Sequence, residues 1–175
     1  VDEHGTPWDF RVKARRDETI RRVKRDEPLL VIGSPMCTDW SSIMNLNWPK
    51  MTEEAYSRRM REAREHLKFC SEIYKLQHQS GRYFLHEHPW GAWSWTVPAV
   101  RQLLAKPGVS AVKGHMCAHG MVITDKMSNS DFILEELNKQ CTKNKAHPSR
   151  NHRHANLQHG AARHASVYPE QLCYS

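Results

Sequence analysis

The chain has 175 residues, with 26 Lys and Arg against 19 Asp and Glu, 12 His, 5 Cys and 6 Trp. A net charge of +7 favours an anionic partner, DNA or RNA, while a mean hydropathy of −0.75 is polar for a compact domain and predicts stretches of loop or tail. The longest apolar run, Leu29 to Ile32, is far below the roughly 18 residues of a membrane helix, so no membrane partner is expected. Val1-Asp2-Glu3-His4 shows no basic start with an apolar follow-up, so no signal peptide is visible. The missing initiator Met suggests a piece of something longer. An odd number of irregularly spaced cysteines argues for a reducing compartment, nuclear or cytoplasmic.

Residues 11 to 25, RVKARRDETIRRVKR, predict a weakly amphipathic helix with a basic face. The plain reading is a solvated surface, and the alternative is a face turned to phosphates. Pro28 ends that helix, and Leu29-Leu30-Val31-Ile32 before Gly33 reads as a short strand buried on both faces. A loop over 34 to 49 leads to the clearest helix. Thr52 caps it, Glu53 and Glu54 suit its positive end, and Tyr56, Met60, Ala63, Leu67, Cys70 and Tyr74 form one apolar stripe up to Ser80-Gly81. Arg82 to His86 reads as a second strand ending at Glu87. Strand, helix, strand predicts a parallel pair. Trp90, Trp93 and Trp95 then fall in a loop, either packed in the fold or open to stack on bases. A helix over 96 to 106, a third strand over 109 to 117 and a short helix opened by Ser130-Asp131 complete the pass.

Loops leaving the carboxyl ends of neighbouring parallel strands are where open sheets bind ligands. Here they are Gly33-Ser34-Pro35-Met36-Cys37-Thr38-Asp39-Trp40-Ser41-Ser42 and His86-Glu87-His88-Pro89-Trp90. Strands lie about 4.8 Å apart, so Cys37 and Glu87 could face one pocket about a nucleobase wide. A thiol and an acid at that spacing suit addition to an electron-poor ring. The bland alternatives are an inert thiol and a carboxylate that caps a turn or pairs with Arg82. His86 and His88 point the same way from a strand and invite a metal, but no third ligand is near in sequence. Cys141, His147, His152, His154 and His159 carry the atoms for zinc at a spacing that matches no standard finger, so a His-rich loop is the default.

The segment G-S-P-M-C-T-D-W-S resembles the Pro-Cys loop of the cytosine-5 DNA methyltransferases, commonly G-x-P-P-C-Q-x-F-S, and F-L-H-E-H-P resembles that family's next strand, which ends in Glu-Asn-Val. Over about Trp8 to Cys173 the chain also resembles a methyltransferase-like module of copia-type retroelement polyproteins. The strings carrying this wider likeness are PLLVIGSPMCT, GRYFLHEHPWGAWSW and VYPEQLC.

The resemblance implies that Cys37 adds to carbon 6 of a flipped cytosine, Glu87 hydrogen-bonds ring nitrogen 3, and carbon 5 takes a methyl group from S-adenosylmethionine. It also implies substrate contacts at Ser34, Pro35, Thr38, Ser41, Arg82 and His88. Asp9, in a Trp8-Asp9-Phe10 remnant of a strand end, would face the cofactor. The departures are Met36 for the second Pro, Thr38 for Gln, His88 for Asn and, above all, no Gly-rich loop after a strand in the N-terminal half.

The expectation is therefore an α/β, Rossmann-like three-layer domain with a small, partly parallel sheet, truncated at its N-terminus. Its parts would be a basic helix and linker over 1–27, a methyltransferase-like core over 28–140, and an irregular His-rich segment over 141–175. Two functions remain open: a degenerate or partial DNA cytosine-5 methyltransferase-like domain, or a catalytically inactive nucleic-acid-binding module of a longer polyprotein.

Overall fold

A computed structural model of the chain describes residues 5, 8–115 and 123–138. The elements run α1 (Lys13–Asp26), β1 (Leu30–Gly33), α2 (Glu53–Gln79), β2 (Tyr83–His88), α3 (Pro98–Leu104), β3 (Ser110–His115), β4 (Ile123–Ser128) and α4 (Asp131–Leu137). The result is an α/β arrangement around one four-stranded mixed sheet of order β1-β2-β4-β3. β1 and β2 are parallel, with Leu30 beside Tyr83 and Gly33 beside His86, whereas β4 runs antiparallel to both β2 and β3.

Each boundary has a local cause. Glu27 ends α1 in the left-handed conformation at φ 46°, its N–H donating to the Val23 carbonyl, and Pro28 follows. Thr52 accepts from the Ala55 N–H at 3.2 Å, as its position before two acids predicts. Ser130 does the same for α4 through Ile133. The loop after β1 is ordered by three 3-10 turns, Thr38–Trp40, Ser42–Leu46 and Trp48–Lys50.

The core lies between α2 and one face of the sheet. Leu67, Cys70, Ile73 and Tyr74 pack on Phe84 and Met127, with Val100 and Leu103 of α3 beside them. Tyr74 stacks on Phe84 at a centroid distance of 4.9 Å. Val23 joins the same cluster and Phe10 and Ile20 lean on it, so α1 shares a core with the 28–140 body. Burying a large apolar side chain is worth about 1.5–3 kcal/mol, which makes this cluster the main stabilising element.

The expectation for β1 needs correction. Leu30 and Ile32 are exposed, Ile32 at 60 %, because β1 is the edge strand and only its Val31 and Gly33 side meets α2. The third strand ends at His115 as described, and residues 116–122 lie outside the described residues. So does the 141–175 segment with its Cys141, His147, His152, His154 and His159 set.

Candidate functional site

Gly33 is the last residue of β1, and its placement is demanded by packing. A Cβ there would sit 2.0 Å from the Tyr74 hydroxyl. The chain leaves that point as Ser34-Pro35-Met36-Cys37, with Pro35 buried and Cys37 partly buried at the head of the first 3-10 turn. Two anchors hold the loop. Trp40 is buried and meets Trp93 edge-on at 4.5 Å, and the Asp39 carboxylate takes the Arg59 guanidinium of α2 at 2.5 Å. The Trp40 N–H donates to the Cys37 carbonyl at 3.0 Å, closing the turn that carries the thiol.

Glu87 projects from β2 on the side opposite α2, since Phe84, His86 and His88 occupy the buried face and Tyr83, Leu85 and Glu87 the other. Because β1 and β2 are parallel, both loops leave one sheet edge, and thiol and carboxyl are close enough to interact. Burial first, and then the charge of Glu87, push the Cys37 thiol above its ordinary value. The thiol is thus held protonated, the opposite of the activated state.

The remaining residues divide. Ser34 and Thr38 are exposed and Ser41 half-buried on the same loop. Arg82 sits at the opposite end of β2, where Nη1 meets Glu27 at 3.2 Å and Nε donates to Gln77 at 3.3 Å, so its charge is engaged by the fold. His88 has no exposed surface and lies on the α2 side, away from Glu87. Asp9 accepts from the Arg11 backbone N–H, Nε and Nη2 at 2.8 to 3.1 Å, which also lowers its pKa. Several cations of the basic segment are engaged, Lys13 with Asp17, Arg21 and Arg22 with the shared Glu18, and Arg25 with Asp26, and α1 keeps a surplus of positive charge.

His86 and His88 do share a face, as their spacing predicts. Their rings stack at 5.5 Å with Trp95 edge-on to both, and the Tyr74 hydroxyl lies 3.2 Å from His86 Nδ1. Burial lowers their pKa values to about 3 and about 4. His86 Nε2 and both nitrogens of His88 have no hydrogen-bond partner among the described residues. Among those residues no three His, Cys, Asp or Glu gather as a metal site.

Trp93 and Trp95 pack against the core, Trp95 donating to the Pro89 carbonyl at 3.1 Å, but Trp90 is 58 % exposed with Lys113 Nζ 4.7 Å from its ring. Sequence could not separate these three tryptophans, nor show the strand-end cation that Lys113 brings from β3. A cavity of about 520 Å³ opens beside the loop, between Trp8 and Phe10 on one wall and Met36, Asp39 and His66 on the other.

No helix among the described residues is long and apolar enough to cross a membrane. Comparison with protein-family models, with curated proteins and with solved structures finds no match for this chain.

Proposed function

We propose that the chain is a partial cytosine-5 DNA methyltransferase-like domain of a retroelement, Rossmann-like in its β1–α2–β2 unit, that binds nucleic acid and keeps a thiol and a carboxyl at one sheet edge. The observation that carries this reading is the pairing of Cys37 with Glu87, whose charge acts on the thiol.

S-adenosylmethionine does not fit the residues present. The cavity beside the loop has the volume for a nucleoside, but Asp9 is occupied by Arg11 and Asp39 by Arg59, which leaves neither carboxylate free for ribose hydroxyls or an ammonium. The sequence also supplies no Gly-rich turn for the cofactor. No methyl-transfer step is therefore assigned to this chain alone.

The two side chains can still perform the addition. Cytosine nitrogen 3 takes a hydrogen bond from a protonated Glu87, and with that carboxyl neutral the thiol loses the anion that opposes its ionisation. The Cys37 thiol gives its proton to solvent, the resulting thiolate forms a bond to carbon 6, and the electron pair of the 5,6 double bond takes a proton from solvent at carbon 5. Loss of the original carbon 5 proton expels the thiolate and restores the ring. The net result is exchange of one ring hydrogen with water, with no donor consumed.

Deuterium entering carbon 5 of cytosine in a short duplex or single strand, read by mass spectrometry, tests this directly. Exchange above the protein-free rate that disappears in Cys37→Ser supports the proposal, and no exchange in the wild type refutes the catalytic part. The second reading, a binding module without chemistry, is favoured by the protonated thiol and by exposed Trp90 beside Lys113, an aromatic face with a cation for stacking on a base. It predicts salt-dependent binding that Trp90→Ala weakens, by about 1–3 kcal/mol, with no exchange at all.

A further inference from the structure

The cations of α1 and α2 divide by what meets them. On α1, Lys13, Arg21 and Arg25 each meet a carboxylate, and Arg15 and Arg22 lie over the Trp8 ring. On α2, Arg59 is taken by Asp39. Arg61, Arg64 and Lys68 differ: all three are exposed, and among the described residues none of them forms an ion pair. Steps of three and four put them on one face of α2, where they line a hollow of about 330 Å³ floored by half-buried Tyr56 and buried Met60. Glu65, the acid among the described residues that line this hollow, is drawn towards α1 by Arg16 Nη2 at 3.7 Å. Arg16 is itself held in place, because its Nη1 donates to the Phe10 and Arg11 carbonyls at 2.7 and 2.8 Å. Like charges at these spacings repel by about 0.2–0.5 kcal/mol a pair, and no described carboxylate offsets that cost.

We propose that this face of α2 is a track for the sugar–phosphate backbone of a nucleic-acid strand, an inference that rests on the nucleic-acid binding proposed above. Arg61 to Lys68 covers about 10 Å of helix axis, length for two or three successive phosphates of one strand. The exposed guanidinium groups of Arg61 and Arg64 can each grip a phosphate through two N–H donors, and Lys68 adds a point charge. The track lies in the half of α2 nearer the sheet edge of Cys37 and Glu87, since α2 follows the loop after β1 and Asp39 of that loop holds Arg59, within a turn of Arg61. Contacts to phosphates carry no sequence information, so the track supplies affinity and sets the strand's position beside that edge. An acidic protein surface suits the face less well, because Met60 is buried and leaves little apolar surface for the centre of a protein interface.

The test uses the full chain and a labelled single strand of about 20 nucleotides, with fluorescence anisotropy followed from about 50 to 200 mM salt. Each phosphate met on a single strand adds about 0.7 to the salt slope, so Arg61→Gln/Arg64→Gln/Lys68→Gln should flatten the slope by about 2 and weaken binding about a hundredfold at about 0.1 M salt. Lys13→Gln/Arg21→Gln/Arg25→Gln removes the same number of cations from α1, where each already meets an acid, and should change the slope by less than half as much. Arg61→Lys/Arg64→Lys keeps the charges and should keep most of the slope. Far-UV circular dichroism verifies that each variant is folded. Wild-type binding that the α2 triple substitution leaves unchanged, or that both triple substitutions weaken equally, overturns the track and leaves nucleic-acid binding standing. A wild type that binds no strand overturns both. Binding of poly-glutamate of equal charge as tightly as the strand overturns the track in favour of an acidic polypeptide.

Discussion

Acid should unfold this protein through two histidines. His86 and His88 are buried neutral, with folded-state pKa values of about 3 and about 4 against 6.5 when exposed. The unfolded chain therefore binds two protons that the folded chain refuses, and stability falls as the pH drops below 6.5 until the folded-state values are reached. Two pH units below 6.5, at about pH 4.5, each site costs about 2.5 kcal/mol at about 1.4 kcal/mol per unit, and the pair costs about 5 kcal/mol. That is comparable with the whole stability of a domain, about 5–15 kcal/mol. Partly buried His66, its pKa lowered by burial and then by Arg16, adds in the same direction.

Urea unfolding followed by tryptophan fluorescence at pH 7.5, 6.5, 5.5 and 4.5 measures this loss. His88→Phe keeps a ring on Trp95 and removes nitrogens that have no hydrogen-bond partner among the described residues. It should therefore cost less than about 1 kcal/mol at pH 7.5 and remove close to half of the acid-induced loss. An acid dependence identical in His88→Phe and wild type would refute the reasoning.

Two stability predictions follow from single contacts. Gly33→Ala forces the Tyr74 hydroxyl off its position beside His86, and should cost about 2–3 kcal/mol in the same urea assay, with Gly33→Ala/Tyr74→Phe recovering part of it. Gln77 donates to the Pro28 and Tyr83 carbonyls at 2.8 and 2.9 Å, tying the start of β1 to the start of β2, so Gln77→Leu leaves two part-buried acceptors unmet and should cost about 1–3 kcal/mol.

The parallel β1–α2–β2 unit was legible because its signals are local: a Thr52 cap, a six-residue stripe from Tyr56 to Tyr74, and apolar strands bounded by Pro28, Gly33 and Gly81. The placement of the Cys37 and Glu87 loops at one edge follows from that unit. β4 was not legible, since Ile-Thr-Asp-Lys-Met-Ser has neither an apolar run nor clean alternation, and its pairing is specified from outside. Asn129 accepts from the Phe84 N–H and donates to the Arg82 carbonyl, standing in for a strand where the ladder ends, and the Ser128 hydroxyl donates to the Phe84 carbonyl. The exposure of β1 was illegible for a related reason. Leu-Leu-Val-Ile reads the same at the centre or the edge of a sheet, and only the strand order distinguishes them. The engagement of Arg82 and of the α1 arginines is likewise invisible in a count of charges, because it depends on which acid each guanidinium meets.

The account rests on Cys37 and Glu87 acting on one another across the sheet edge. The rate of Cys37 alkylation by iodoacetamide against pH, followed on its own peptide by mass spectrometry, reports the thiol directly, because Cys70 is buried and pushed up to about 12. In wild type the midpoint should lie above that of a free cysteine. In Glu87→Gln, with the opposing charge gone and burial unchanged, it should move to lower pH and alkylation at neutral pH should quicken. A profile that Glu87→Gln leaves in place would contradict the shared site.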